Sequence, residues 1–118
     1  MSRTSTCDVS SGAGSSTRRE NARARPARAL PAIVDAVGAH TEVLVDGGLR
    51  SGVDLFRALA LGARGALIGR PWAWALAGGG EAGLRRLLAT WQQELATSMA
   101  LAGVTRIGDI GRHHLDFD

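Results

Sequence analysis

Two short runs in this chain have the residue types to hold an anion. Asp46-Gly47-Gly48-Leu49-Arg50 and Gly69-Arg70 each set glycine close to arginine. Glycine lets a ligand approach the backbone and tolerates positive φ, so several peptide N–H groups can face one oxyanion. A guanidinium adds a planar fork of donors matched to phosphate oxygens. Either run alone is a weak signal. Two such turns at the ends of neighbouring parallel strands would converge on one phosphate.

The elements around these runs can deliver that arrangement. Thr41–Asp46 (TEVLVD) is short, apolar and β-branched, which suits a buried parallel strand, and Gly65–Gly69 (GALIG) is a second one. Between them, Val53–Leu61 places Val53, Phe56, Leu59 and Ala60 on one helical face, with Ser51 as cap, Asp54 in the first turn and Gly62 as stop. Upstream, Leu30, Ile33, Val34 and Val37 recur at helical spacing and Gly38 follows. Downstream, Pro71 suits the first position of a short helix, PWAWALA, which Gly78-Gly79-Gly80 should break. Glu81–Ala102 reads as a long helix burying Leu84, Leu87, Leu88, Trp91, Leu95 and Met99, with Leu101 or Ala102. Gly103 ends it, Thr105 is placed to cap a last turn, and the tail from Gly111 reads as polar and frayed. The order helix, strand, helix, strand, helix, helix is that of a parallel α/β fold. Helix N-termini after both strands favour an anion.

Composition narrows the function classes. The 118 residues suffice for one modest domain, and 45% of them are hydrophobic. The net charge of +3 is uneven: residues 1–29 hold six arginines against Asp8 and Glu20, so the rest of the chain is close to neutral. Residues 1–28 lack helical or strand periodicity and read as a disordered Arg/Ser-rich segment. No aromatic is interleaved there for base stacking, which argues against a nucleic-acid-binding arm. The single cysteine, Cys7, excludes an internal disulfide framework and any CxxC metal site. No apolar run reaches the ~20 residues of a membrane-spanning helix. No secretory signal is visible, and a cytoplasmic location is expected.

The run VDGGLRSGVDLFRALALGARGALIGRPWAWALAGGGEAG closely resembles the C-terminal part of FMN-dependent α-hydroxy-acid oxidases and dehydrogenases, the glycolate oxidase, lactate oxidase and flavocytochrome lactate dehydrogenase group. LPAIVDAVG before it and MALAGVTRIGDI after it fit the same family, so the resemblance spans about residues 29–112, with 113–118 as a tail. It implies strands 7 and 8 of a (β/α)8 barrel, incomplete here because such a barrel needs ~250 residues. It implies FMN as cofactor, contacted by Asp46, Gly47, Gly48, Leu49, Arg50, Gly69 and Arg70. The implied chemistry is oxidation of a 2-hydroxy acid to a 2-oxo acid by hydride transfer to the flavin, and the family also implies a homo-oligomer.

One departure stands out. The family's catalytic histidine sits upstream in a motif of the form SNHGGRQ, and residues 1–29 contain no histidine. His40, His113 and His114 are not placed as bases and read as solvated loop residues. A frame-shifted or misassigned start of a longer gene would account for the abrupt change near Ala29. Two other readings compete. Inosine-monophosphate dehydrogenase and type 2 isopentenyl-diphosphate isomerase are barrels with a similar phosphate grip, although GRPWAWALAGGGEAG favours the hydroxy-acid group. A non-catalytic phosphate-binding remnant fits the missing histidine.

Overall fold

A computed structural model of the chain describes residues 4–7 and 26–116. Three parallel strands form one sheet in the order β1-β2-β3: β1 (Thr4–Cys7), β2 (Glu42–Asp46) and β3 (Gly65–Leu67). Helix α1 (Pro26–Val37) precedes β2, and α2 (Gly52–Ala60) connects β2 to β3. Beyond β3 comes α3 (Arg70–Leu101), followed by two single 3₁₀ turns, Ile107–Asp109 and Arg112–His114.

β1 corrects the reading of the N-terminal segment. Thr4 to Cys7 pair in parallel with Glu42 to Val45, so β2 has a neighbour on both sides. TSTC carries no alternation, but Thr is a good strand residue, and an unpaired edge on β2 supplies backbone partners that periodicity does not register. α1 likewise begins at Pro26, earlier than the expected start near Ala29. Residues 8–25 lie outside the described part of the chain, and so does the rest of that expectation.

The sheet has one packed face. Val43 and Val45 are buried together with Leu30 of α1, Ala58 of α2 and Trp91 of α3. Side chains alternate along a strand, so Leu44 and Asp46 face the other way. The register sets Leu44 beside Gly65 and Asp46 beside Leu67, and Leu67 is exposed. Parallel sheets are normally covered on both faces. Here the helices cover one, and the opposite face is the one that looks into the interior of a closed barrel.

α2 starts as expected: the Ser51 side chain accepts from the Asp54 N–H at 3.1 Å. It buries Gly52, Phe56, Ala58 and Ala60, whereas Val53 is exposed. Gly52 takes the inward place because α3 lies against it: an added Cβ would sit 2.7 Å from the Glu94 Cβ and 2.8 Å from the Leu95 nitrogen. No side chain larger than hydrogen fits that contact.

α3 is two helices joined at a kink. Gly80 has φ 57 and ψ −147, which no helical residue adopts, so the break expected at GGG falls on its last glycine. In the longer second part Trp91 is buried, Leu95 and Met99 pack on a second cluster, and Leu88 and Leu101 are exposed. Leu88 was expected inside and lies on the edge of the packed stripe; of the alternatives Leu101 and Ala102, Ala102 is the one that packs on the second cluster and Leu101 faces outward.

The C-terminal tail is docked. Phe56 and Ala60 form the second cluster with Val104 and Ile110, and Leu115 packs against both clusters. Arg112 reaches back to α1, bonding Asp35 at 2.7 and 3.2 Å and the Pro31 carbonyl at 3.1 Å. The ring of His114 meets Phe56 edge-on at 6.4 Å. This corrects the frayed tail for residues up to Asp116: two apolar anchors and one fork-shaped ion pair tie a mostly polar segment down. Thr105 does not cap the first 3₁₀ turn, whose N-cap is Arg106 with no side-chain bond.

Candidate functional site

The chain leaves β2 at Asp46 and turns through Gly47 (φ 92) and Gly48 (φ 82) before Leu49 and Arg50 lead into α2. Residues with a Cβ rarely hold such φ values, and two in succession explain the double glycine. Leu49 is buried and anchors the turn in the core, while Arg50 is exposed. On the adjacent strand, β3 runs through Ile68 and Gly69 into Arg70 and the first turn of α3. Because β2 and β3 are parallel neighbours, both turns emerge at the same edge.

Between them lies a cleft of about 290 Å³. All seven residues picked out by sequence line it: Asp46, Gly47, Gly48, Leu49, Arg50, Gly69 and Arg70. Leu67, Ile68, Pro71 and Trp74 complete the wall. Sequence reasoning took PWAW as a helix start and missed the lining role of Trp74. Its exposure on an otherwise apolar helix is a signal visible only in three dimensions.

The cleft has the donors an oxyanion needs. A Cβ built on Gly48 or Gly69 would meet nothing within 4 Å, so the backbone there is open on the cleft side. α3 has no side-chain cap at Gly69. Ala73 is the residue whose N–H returns to the Gly69 carbonyl, at 3.1 Å, which leaves the amides of Arg70 and Trp72 ahead of the first closed turn. Neither guanidinium of Arg50 and Arg70 is in an ion pair among the described residues.

α2 behaves differently, and here the expectation of an anion at both helix starts needs correcting. Its Gly52 N–H donates to Glu94 Oε2 at 2.6 Å, its Asp54 N–H to Ser51, and its Leu55 N–H to the Ser51 carbonyl. The Arg50 N–H is taken by Asp54 Oδ2 at 3.1 Å. The Gly52, Asp54 and Leu55 amides at the start of α2 are therefore taken within the chain, and α3 carries the more open helix terminus.

A larger cavity, about 420 Å³, lies behind the same turn between α1 and α2. Leu30, Val45 and Ala58 make its wall apolar, and its extra cation, Arg57, is paired with Asp54 at 3.3 Å. The front cleft is the better anion site. No histidine lines it: His40 follows α1 at the opposite end of β2, and His113 and His114 sit in the last turn. His114 is half-buried, accepting from the Gly111 N–H at 3.1 Å, so it is a packed turn residue and not the solvated one expected. Among the described residues no group of three or more His, Cys, Asp or Glu could hold a metal ion.

The family model described as FMN-dependent dehydrogenase matches residues 8–117, a span that begins upstream of Ala29. The L-lactate dehydrogenase of Caulobacter vibrioides is 58% identical over 84 residues, covering 71% of this chain and 22% of the relative. The L-lactate oxidase of a Nostoc species is 51% identical over 82 residues, covering 70% of this chain and 22% of that protein. A mandelate oxidase variant solved with an FMN adduct superposes with a TM-score of 0.70 at 48% identity, over 73% of this chain and 27% of the oxidase. The chain thus spans about a quarter of the length of the proteins it matches. Its strands and helices are a piece of the (β/α)8 barrel of these oxidases. With its two glycine-arginine turns in place, this chain belongs to the FMN-dependent dehydrogenase family.

Proposed function

We propose that this chain is the cofactor-phosphate grip of an FMN-dependent oxidoreductase that oxidises a 2-hydroxy acid to a 2-oxo acid. The observation that carries this reading is the convergence of all seven sequence-chosen residues on one cleft, with two guanidinium groups in no ion pair among the described residues. The residues present fit FMN. Arg50 and Arg70 would meet the phosphate, with the Gly47–Leu49 backbone and the open start of α3 donating N–H groups. Asp46 is a carboxylate and would repel phosphate, so hydroxyl donors of the ribityl chain would be its partners. Hydride acceptance is the chemistry the flavin supplies when bound. The described residues bind and orient the cofactor; none in the cleft is a histidine that could take the substrate's hydroxyl proton.

That last point favours a second reading, in which the chain binds flavin phosphate without turnover. Joining residues 29–118 to the preceding part of a family barrel separates the two. Flavin absorbance together with oxidation of lactate or mandelate supports the oxidoreductase; flavin absorbance without turnover supports the binding protein. Absence of flavin from the joined protein overturns both. A homo-oligomeric assembly, implied by the family, and a cytoplasmic location, supported by the single cysteine, belong to the same proposal. No described helix is long and apolar enough to cross a membrane.

A further inference from the structure

We infer that Glu94 is a positioning residue for the phosphate cleft, although it lies far from it in sequence and does not line it. The inference rests on the FMN reading of the cleft. Glu94 projects from the second part of α3, and its Oε2 accepts the Gly52 N–H at 2.6 Å across 42 residues of chain, in a half-buried setting. A carboxylate at a helix start is favoured by the exposed amides and by the helix dipole. Glu94 is thus an internal anion that occupies the place an external phosphate could take on α2.

The contact is built to be close. Gly52 has no side chain to hold α3 away, and an added Cβ would sit within 3 Å of atoms of both Glu94 and Leu95. Gly52 is also where the Gly47–Ser51 turn ends. On the turn side, Ser51 and Asp54 close a local ring, with Asp54 bonding the Arg50 N–H. These bonds move with α2 as a unit; beside the apolar packing of Ala58 with Trp91 and of Phe56 with Leu95, the Glu94 bond is the polar tie between that unit and α3. The other wall of the cleft, Gly69 and Arg70, is the start of the first part of α3, across the Gly80 kink from the part that carries Glu94. Glu94 therefore positions one wall: it fixes the Gly47–Arg50 turn against the second part of α3 and, by filling the start of α2, directs the phosphate to the open terminus at Gly69.

Amide-resolved NMR of the full chain titrated with FMN, with riboflavin as the phosphate-free control, tests this. In Glu94→Ala the amides of Gly47 and Gly48 should lose their response to FMN while those of Gly69 and Trp72 keep theirs, and affinity should fall about tenfold, the scale of a lost bond to a charged group. Glu94→Gln keeps an acceptor oxygen and should restore most of the response. Hydrogen exchange at Gly52 should quicken at least about tenfold in the alanine variant. If Glu94→Ala does not fold, Glu94→Asp, one methylene too short for the bond, replaces it with the same expectation. Loss of response at all four amides together marks a merely structural residue and overturns the proposal; so does unchanged response at Gly47 and Gly48. If FMN leaves the unsubstituted chain unshifted, the FMN reading fails on its own, and unchanged Gly52 exchange in the variant would then separately overturn the role given to Glu94.

Discussion

At the residue scale the two cleft glycines make different demands. Gly48 holds φ 82, which costs an L-residue ~1–2 kcal/mol, although nothing crowds its missing Cβ. Gly69 has φ −109 and is equally uncrowded. Gly48→Ala should therefore lower the stability of the chain by about 1 kcal/mol in urea unfolding, and Gly69→Ala should leave it nearly unchanged. Both should weaken FMN binding by placing a methyl where the phosphate approaches, so the pair separates backbone strain from ligand access. Arg70→Ala should weaken FMN binding about tenfold or more, the size of a charge-assisted contact of ~1.5–3 kcal/mol. The turn residues were legible in the sequence because glycine and arginine each have few reasons to recur at strand ends. Trp74 was not legible, since an aromatic in an apolar helix is ordinarily core, and only the fold shows it standing in the open.

At the element scale, stability concentrates where α2, α3 and the sheet meet. Trp91 is 7% exposed and touches the cluster of Val43, Val45 and Ala58, so Trp91→Ala should cost ~3–5 kcal/mol and leave little folded chain by circular dichroism. Leu101 is 86% exposed, and Leu101→Ala should stay within about 0.5 kcal/mol of the parent. The sequence pattern put Trp91 on the buried side and left Leu101 or Ala102 as its last member, and Ala102 is the one that packs. It found the helix and its heptad-like stripe but could not say where the partner helix stops. The same limit explains Val53 and Gly52. An apolar period favours valine as the inward residue, while the close approach of α3 requires glycine, and approach distance is a tertiary fact. β1 was missed for a related reason: a neighbouring strand edge, not its own alternation, gives Thr4–Cys7 its partners.

At the scale of the whole molecule, the chain has a helix-covered face and a bare one. Leu44, Asp46 and Leu67 belong to the bare side, β3 has a free edge among the described residues, and Trp72, Trp74 and Leu76 add exposed apolar surface. A piece covering about a quarter of its relatives' length is expected to leave such a surface, because the remaining strands would close the barrel over it. Family membership and the parallel α/β order were legible from the motifs, since those residues serve local turn geometry and local contacts. The docked tail was not, because the anchors of Leu115 and Arg112 lie on α1 and α2. Arg112 bonds Asp35 with both Nη atoms yet remains partly exposed, so Arg112→Ala should cost only about 0.2–1 kcal/mol, and less at high salt.

The central proposal is that the cleft lined by Arg50, Arg70 and the two glycine turns recognises the phosphate of FMN. Calorimetric titration of the chain with FMN and with riboflavin, at low and at high salt, tests that most directly. The predicted result is saturable FMN binding that weakens with salt and with Arg70→Ala, alongside riboflavin binding at least about tenfold weaker, the scale of one charge-assisted contact. Equal affinity for FMN and riboflavin, or FMN binding indifferent to Arg70→Ala, would contradict it.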